Sequence, residues 1–243
     1  MKITIKRFCE NREPDKFVDV SYELPRGIDF LLEALSYIKK EIDPTLSFSS
    51  GCRSGVCGSC ALKVNDKEIL ACEYRLKDGD FIEALDKMRV IKDLVVDHEK
   101  SFDTLKRSKT YFKKPSAKEL QTPEDERKIE RQSDCILCSS CFSSCPVLEV
   151  DSEFLGPFAL TRAYRYLNDS RSHEDNEILD AIQEKGIWDC TLCGECTSVC
   201  PQSIDPKNDI LLLRTKSVQA GYSNPNFSQG GDDFLSGGFD PNF

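Results

Sequence analysis

The sequence predicts an α+β fold in which a strand-rich N-terminal half is followed by an all-helical C-terminal half. Apolar and polar side chains alternate over residues 18–24, which is the period of a half-buried strand. Apolar residues at helical spacing follow Pro157 and Pro206, and proline is favoured at the first position of a helix. The cysteines form three runs, one in the first half and two in the second. These observations divide the 243 residues into two modest domains.

The first half contains the elements of a small sheet with one helix. Asp29 is predicted to cap that helix, whose apolar face consists of Leu32, Leu35, Ile38 and Ile42. A turn at Asn65-Asp66 is predicted to join two strands into a hairpin. Strands are predicted over residues 2–8, 17–24, 60–64, 68–72 and 81–85. Strands and one helix around a cysteine-rich loop describe a β-grasp domain, and we assign residues 1–108 to it.

The rest of the chain is predicted to contain a linker, a helical domain and a tail. Residues 92–110 have a helical and increasingly basic pattern, and the charged stretch 109–133 is the predicted linker. Its charge fits either a solvated connector or a docking strip for an acidic partner. Residues 134–218 are predicted to be helical, with a helix through Ile178 and Ile182 that stops at Gly186. Residues 219–243 are rich in Gly, Asn, Asp and Phe, and we expect a flexible C-terminal tail.

The cysteine motif of the first half has the spacing of a plant-type [2Fe–2S] centre, C-x4-C-x2-C with a fourth cysteine downstream. Its predicted ligands are Cys52, Cys57, Cys60 and Cys72. Three glycines interleave with them, and glycine lets backbone N–H groups approach the sulfurs closely. Hydrogen bonds of this kind stabilise the added electron and raise the reduction potential. The plant-type spacing therefore agrees with the β-grasp prediction for this half.

Two further motifs share one spacing, C-x2-C-x2-C-x3-C-P, beginning at Cys135 and at Cys190. This is the ligand run of a bacterial-type ferredoxin with two cubane clusters, in which the fourth cysteine of each run ligates the other cluster. By that crossed rule one cubane takes Cys135, Cys138, Cys141 and Cys200. The other takes Cys190, Cys193, Cys196 and Cys145. Of the 13 cysteines only Cys9 is left over, and we interpret it as a buried small apolar residue.

A disulfide scaffold and zinc sites are the alternatives to iron–sulfur clusters. Three thiols in a C-x2-C-x2-C run converge from one tight loop, which suits a cubane and does not suit separate disulfides. Zinc sites usually pair two C-x2-C knuckles across a longer loop. The two histidines, His98 and His173, lie outside the cysteine runs, which argues against a Rieske-type or histidine-based zinc site. Iron, held through these cysteines, is therefore the only metal that we expect.

The composition narrows the functional class further. A net charge of −9 argues against nucleic acid as a partner. No general acid–base pair, nucleophile–base arrangement or glycine-rich phosphate loop accompanies the cysteines, so we expect no catalytic residue and an electron-relay role. Residues 1–7 predict no secretory signal, and no apolar run is long enough to span a bilayer. Thiolates must stay reduced while they capture iron, so we expect cluster assembly in the cytoplasm.

Over residues 2–216 the chain resembles the iron–sulfur subunit of succinate dehydrogenase and fumarate reductase. The resemblance rests on the order of the motifs and on four short sequence segments. They are GCRSGVCGSC at 51–60, FLGP at 154–157, AYRYL at 163–167 and DSR at 169–171. It implies a position between a flavoprotein subunit carrying FAD and a membrane component that handles quinone. The implied electron order is FAD, [2Fe–2S], [4Fe–4S] and a third cluster.

The chain departs from the common family pattern in two places. Most members have a non-cysteine residue at the position of Cys193 and a [3Fe–4S] third centre, whereas here the run is complete and favours [4Fe–4S] over [3Fe–4S]. Ubiquinone-linked members also tend to carry aromatic residues after the first Cys-Pro, where this chain has residues 147–149, Val-Leu-Glu. Both departures resemble the branch with a cysteine-rich partner subunit, which includes methylmenaquinol:fumarate and thiol:fumarate reductases.

That resemblance implies a quinol or thiol donor acting through a cysteine-rich or membrane-anchor subunit. We expect membrane association through the complex, on the cytoplasmic or the periplasmic side, with export alongside a partner as one route. Two other functions remain open at this point. One is the iron–sulfur subunit of another flavin dehydrogenase, although such subunits usually lack the plant-type domain that Cys52–Cys72 indicates. The other is a free ferredoxin carrier.

Overall fold

A computed structural model describes residues 1–8, 16–112, 120–172 and 175–225 of the chain. Cys9 lies outside these ranges, so its predicted burial stays a prediction. The strands are β1 (Lys2–Phe8), β2 (Phe17–Glu23), β3 (Ala61–Val64), β4 (Lys67–Leu70), β5 (Phe81–Glu83), β6 (Val90–Lys92) and β7 (Val95–Val96). The helices are α1 (Leu31–Tyr37), α2 (Glu99–Arg107), α3 (Pro123–Arg127), α4 (Glu130–Ser133), α5 (Ser140–Ser143), α6 (Val147–Val150), α7 (Pro157–Leu167), α8 (Asp175–Ala181), α9 (Glu195–Ser198) and α10 (Pro206–Gln219).

The first half is a mixed five-stranded sheet of order β2-β1-β5-β3-β4. The strands β1 and β2 pair antiparallel with Ile3 opposite Tyr22, while β1 and β5 run parallel. The predicted hairpin joins β3 to β4, and both turn residues, Asn65 and Asp66, have positive φ as a two-residue hairpin requires. One face of the sheet packs against α1 through Ile3, Ile5, Leu31, Leu35 and Ile82, which are all fully buried. The mixed sheet and the single packed helix confirm the fold class predicted for this half.

The predicted Asp29 cap on α1 is wrong. The helix begins one residue later than expected, its N-cap is Phe30, and no side chain caps it. The first amides of the helix donate instead to main-chain carbonyls across the domain, Leu31 to Tyr74 (3.0 Å) and Leu32 to Ala71 (2.9 Å). Main-chain carbonyls therefore satisfy the first two free N–H groups of the helix, which reduces the need for a capping carboxylate there.

The helix predicted over residues 92–110 is only partly correct. The chain first forms the β6–β7 hairpin, and α2 occupies the remainder. Asp93, in the turn of that hairpin, is buried and accepts hydrogen bonds from Arg7 Nε (2.8 Å) and from the amide of Ser47 (2.8 Å). This buried carboxylate anchors an extended segment that a local helical pattern does not reveal. The predicted linker is also more structured than a solvated connector, since it contains α3, α4 and the buried Ile129.

The second half consists of helices around α7 and α10, which pack directly against each other. Both begin as predicted, with Pro157 and Pro206 at the first helical position, and Asp205 accepts the amide of Asn208 at 3.1 Å. The helix α10 runs to Gln219, so the first residue of the predicted tail belongs to it. None of the described helices is long and apolar enough to cross a membrane.

The two halves share their hydrophobic cores. Leu85, Met88 and Val96 of the first half are buried in the core of the second, together with Phe142 and Phe158. Conversely, Ile136 and Cys138 of the second half pack against the core of the first. This exchange holds the cysteine loops of the two halves against each other.

Candidate metal centres

The loop from Gly51 to Cys60 carries three of the four predicted ligands of the first site, and Cys72 follows β4. The amide of Gly55 donates to Cys72 Sγ at 3.3 Å, and the amide of Cys52 donates to Cys57 Sγ at 3.3 Å. Cys60 and Cys72 have their sulfurs 3.5 Å apart. The loop thus brings the four predicted thiols together and points main-chain N–H groups at sulfur, as expected for a cluster ligand loop.

The thiols of the first site differ in their protonation. Amide donation from Ser54 and Val56 lowers the pKa of Cys52 to about 6. Burial raises the pKa of Cys60 to about 11. Iron binds the thiolate, so loading the buried ligand requires loss of a proton that the protein alone favours keeping.

The first helical site is a cavity lined by Cys135, Cys138, Cys141 and Cys200 together with apolar residues that include Phe158 and Ile204. The crossed prediction grouped these same four thiols. Burial raises the pKa of Cys135, Cys138 and Cys141, and the charge that Cys200 carries when ionised raises each further. The four thiols therefore share one environment, although Cys200 lies 59 residues along the chain from Cys141.

The second helical site groups the remaining thiols in the same crossed way. Burial raises the pKa of Cys145, and charge on Cys190 and Cys193 raises it further. Burial likewise raises the pKa of Cys196 to about 12, with Cys190 contributing next. Cys193 is exposed whereas Cys145 and Cys196 are buried. The structure therefore brings the Cys193 thiol to this group from the solvent side.

The two cysteine runs fold alike. Leu137 and Leu192, each two residues after the first cysteine of a run, have φ of 53° and 56°. Ser139 and Gly194, four residues after it, have φ of 64° and 90°. These left-handed positions turn the loop around its thiols and direct amides at them, as with Leu192 N–H to Cys190 Sγ at 3.4 Å.

The donor set of each site fits an iron–sulfur cluster, because all the ligands are thiols and amide N–H groups face the sulfurs. A cubane takes one thiolate on each of its four irons, so its ligands surround a space. In the described part of the chain, no three His, Cys, Asp or Glu side chains are placed to hold a single metal ion.

The loops of the first and the middle site are in contact, and the third site lies close to the middle one. A Cβ on Gly58, in the first loop, would lie 2.8 Å from Cys138 Cβ and 2.9 Å from Cys138 Cα. The side-chain amide of Gln202, two residues after Cys200, donates to the carbonyl of Gly55 at 2.9 Å. Cys141 of the first helical site lies near enough to Cys196 of the second for its pKa to respond to that thiolate. The middle site therefore adjoins the other two.

Arginines add positive charge beside both helical sites. Arg162, on α7, lowers the pKa of Cys135 against the larger effect of burial. Arg214, on α10, does the same at Cys190 and donates to the carbonyls of Ile187 (2.8 Å) and Cys190 (2.6 Å). Positive charge held near a cluster stabilises its reduced form, so these arginines favour electron acceptance.

Two family models match the chain, and together they cover both halves. Residues 2–103 match the 2Fe-2S iron-sulfur cluster binding domain, and residues 131–204 match the 4Fe-4S dicluster domain. The fumarate reductase iron-sulfur subunit of Escherichia coli O6:H1 is 37% identical over an alignment of 220 residues, and the alignment covers 85% of this chain and 88% of the relative. The chain belongs to the family of fumarate reductase iron–sulfur subunits. Its cofactors are accordingly one [2Fe–2S] cluster and a pair of clusters in the helical half.

Another member of the family is similarly close. The 8-methylmenaquinol:fumarate reductase iron-sulfur subunit of Wolinella succinogenes is 36% identical over 241 residues, covering 92% of this chain and 74% of the relative. A chain of the Mycobacterium smegmatis Sdh1 complex in the apo form superposes with a TM-score of 0.77 over 91% of this chain and 97% of the other. That chain shares 22% sequence identity, so the superposition is evidence for the fold alone.

The structure places Cys135, Cys138, Cys141 and Cys200 around one cavity and the sulfurs of Cys60 and Cys72 3.5 Å apart. The assignment of the twelve cysteines to three clusters stays a prediction. Sequence reasoning missed the contacts between the groups. Gly58 is one of the three glycines that interleave with the ligands of the first site, but its closeness to Cys138 depends on how the halves pack. Gln202 gave no signal beyond its position just after a Cys-Pro pair.

Proposed function

We propose that this chain relays electrons between an FAD-containing flavoprotein subunit and a quinone- or thiol-linked partner subunit of a fumarate reductase or succinate dehydrogenase complex. The observation that carries the proposal is that the cysteine loop of the first half packs against the middle site, at Gly58–Cys138 and at Gly55–Gln202. A carrier with a single site would not need this contact. We assign the chemistry on the organic acid to the flavoprotein.

The proposed ligands follow the three groups. Cys52, Cys57, Cys60 and Cys72 would hold the [2Fe–2S] cluster. Cys135, Cys138, Cys141 and Cys200 would hold a [4Fe–4S] cluster, and their shared cavity supports this assignment. Cys190, Cys193, Cys196 and Cys145 would hold the third cluster.

For the third cluster we favour [4Fe–4S] over [3Fe–4S]. Charge on Cys193 acts on the pKa of Cys145, Cys190 and Cys196, so a fourth thiolate stands with the other three. Four-thiolate ligation is the ordinary state of a complete run. A [4Fe–4S] cluster at this end would suit a donor of low potential, such as a menaquinol or a thiol.

When bound, the clusters supply one-electron redox chemistry. They can therefore connect partners that exchange different numbers of electrons at a time. The chain's own residues hold and position them. Amides of Gly55, Ser54 and Leu192 direct partial positive charge at the sulfurs. Phe158 and the apolar residues around it keep water from the middle site. Because of the Gly58–Cys138 contact and the proximity of Cys141 to Cys196, the electron order runs first, middle, third site.

The proposed partners are a flavoprotein at the first site and a cysteine-rich or membrane-anchor subunit at the third. The exposed side of the first loop, at Cys52, Val56 and Cys57, leaves that site accessible to a flavoprotein. The exposed Cys193 likewise leaves the third site accessible to the cysteine-rich or membrane-anchor subunit. We propose membrane association through the assembled complex, with no nucleic acid as a partner.

Anaerobic purification of the native complex tests this function. The chain is expected to copurify with a flavoprotein and to show no fumarate or succinate turnover once separated from it. Readdition of the flavoprotein should restore electron transfer from succinate to the oxidised clusters and from the reduced clusters to fumarate, followed by the absorbance of the clusters. A chain that runs alone on size exclusion in native extract, or that oxidises succinate when free of flavin, would contradict the proposal.

A further inference from the structure

The side chain of Gln202 connects two cysteine sites. It lies two residues after Cys200, at the rim of the middle cavity, and is half-buried. Its Nε2 donates to the carbonyl oxygen of Gly55 at 2.9 Å, across 147 residues of sequence. Arg131 in turn donates to the main-chain carbonyl of Gln202 at 3.5 Å. Arg131 thus holds the main chain of Gln202, while the side chain of Gln202 reaches the first half of the molecule.

Gly55 passes this connection on to the first site. Its amide donates to Cys72 Sγ at 3.3 Å, so one buried glycine is bonded to a predicted ligand on one side and to Gln202 on the other. Cys200 is therefore connected to Cys72 through Gln202 and Gly55. Gln202 lies two residues further along the chain from Cys200, its side chain is hydrogen-bonded to Gly55, and Gly55 is hydrogen-bonded to the Cys72 sulfur. Three residues further along the same loop, Gly58 packs against Cys138.

We propose that Gln202 is a positioning residue for electron transfer between the first and the middle cluster. It holds the Gly55–Gly58 segment against the helical half, so that Gly58 stays in contact with Cys138 and the two clusters keep a fixed separation. This inference rests on the proposed function, because it assigns a role to Gln202 in the relay. Gln202 is not a predicted cluster ligand, and its side chain donates to the carbonyl oxygen of Gly55 and not to a cysteine sulfur.

The physical basis is the weak local anchoring of the first loop. Most of its residues, including Cys52, Arg53, Ser54 and Val56, are exposed. Exposed loops with few buried contacts open locally at low free-energy cost. Loss of a hydrogen bond that reaches the loop from outside therefore changes the open fraction of the loop severalfold. The transfer of an electron depends steeply on distance, so a small opening at Gly58 would slow it.

Three variants of the full chain test the proposal under anaerobic conditions. Gln202→Glu keeps the shape but replaces the donor with an acceptor that faces the Gly55 carbonyl. Gln202→Lys retains a donor on a side chain long enough to reach it and should rescue the contact. Gln219→Glu, at the exposed end of α10, makes the same charge change away from the loops and serves as the matched control.

Two readouts are followed beside iron and sulfide content. The first is the relaxation enhancement that a reduced middle cluster imposes on the EPR signal of the reduced [2Fe–2S] cluster, which reports their separation. The second is hydrogen–deuterium exchange of the segment 52–60, which needs no cluster chemistry. We expect Gln202→Glu to retain full iron, to lose relaxation enhancement severalfold and to exchange this segment severalfold faster. Gln202→Lys and Gln219→Glu should resemble the wild type.

A Gln202→Glu variant that matches the wild type in both readouts would overturn the proposal. So would equal losses in Gln202→Glu and Gln202→Lys, because they would indicate a packing role unrelated to the donor. Wild-type chain without the [2Fe–2S] signal would contradict the proposed function instead, and the exchange comparison would still decide whether Gln202 holds the loop.

Discussion

At the scale of single residues, Gly58 controls how close the first two cysteine sites come. It is buried, its φ is +71°, and the space that a Cβ would need is filled by Cβ and Cα of Cys138 and by the carbonyl oxygen of Ile136. The far end of a flexible side chain could move aside, but these atoms belong to the backbone or are bonded directly to it. The two loops can therefore approach each other only because this position carries no side chain.

Gly58→Ala should destabilise the protein more than an ordinary glycine replacement. Alanine at positive φ costs about 1–2 kcal/mol, and overpacking against the Cys138 main chain adds about 1–3 kcal/mol. Gly79→Ala is the matched control, since its φ is +85° and nothing lies within 4 Å of the added Cβ. The free energy of unfolding, from anaerobic denaturant titration, should fall further for Gly58→Ala. Equal losses in the two variants would show that the loops do not press together at Gly58.

A second single residue, Cys193, is expected to determine whether the third cluster is [4Fe–4S] or [3Fe–4S]. If its thiolate binds the fourth iron, Cys193→Ser should produce a new [3Fe–4S] EPR signal in the oxidised protein, because loss of one ligand favours loss of one iron. Cys9→Ser, at the cysteine outside the three motifs, should leave the spectrum unchanged. A full-intensity [3Fe–4S] signal in anaerobically prepared wild type, unaltered by Cys193→Ser, would exclude Cys193 as a ligand.

At the scale of elements, α4, α7 and α10 meet around a buried carboxylate. Asp209 on α10 is 2% exposed, and its oxygens accept from Gln132 Nε2 (2.8 Å) and from Thr161 Oγ1 (2.9 Å). Burial raises the pKa of Asp209 to about 6, against the lowering effect of these two hydrogen bonds. The three helices are joined here by polar contacts as well as by their apolar faces.

This carboxylate makes the stability of the helical half depend on pH. In the unfolded chain Asp209 ionises near 3.8, whereas in the folded chain it ionises near 6. Stability is therefore full below the unfolded value and is lost as the pH rises through about 6, after which the loss is constant. Asp209→Asn cannot ionise and keeps both contacts, because the Thr161 hydroxyl can accept as well as donate.

We expect the wild type to lose on the order of 1–2 kcal/mol of unfolding free energy relative to Asp209→Asn between about pH 5 and about pH 8. Anaerobic chemical unfolding followed by circular dichroism at both pH values measures this difference. Comparing the two proteins cancels the pH dependence of the clusters themselves. A difference that stays constant with pH would mean that Asp209 is not titrating in this range.

The elements also show where sequence reasoning succeeds and where it fails. The starts of α7 and α10 were predictable because Pro157, and the Asp205-Pro206 pair, act on their own neighbours. The start of α1 was not, because its free amides are satisfied by Ala71 and Tyr74 from elsewhere in the domain. The β6–β7 hairpin was missed for a similar reason, since its buried Asp93 is held by residues far along the chain. Features that depend on a few neighbouring residues could be predicted from the sequence. Features that depend on tertiary contacts could not.

At the scale of the whole molecule, the fold packs the cysteine loop of the first half against the middle site of the helical half. The ligand groups, with Cys145 and Cys200 exchanged, follow from the spacing of the cysteines and stay a prediction. The packing of the loops on each other could not be predicted from spacing, since it follows from cores that interpenetrate through Leu85, Met88 and Ile136. The relay is therefore a property of the packed pair of halves.

The central claim is that this one chain carries three clusters. Iron and acid-labile sulfide, measured on anaerobically purified protein, should each amount to about ten atoms per chain, the content of one [2Fe–2S] and two [4Fe–4S] clusters. About nine irons with about ten sulfides would point to a [3Fe–4S] third centre within the same relay. An iron content near four, or zinc in stoichiometric amount, would contradict the account.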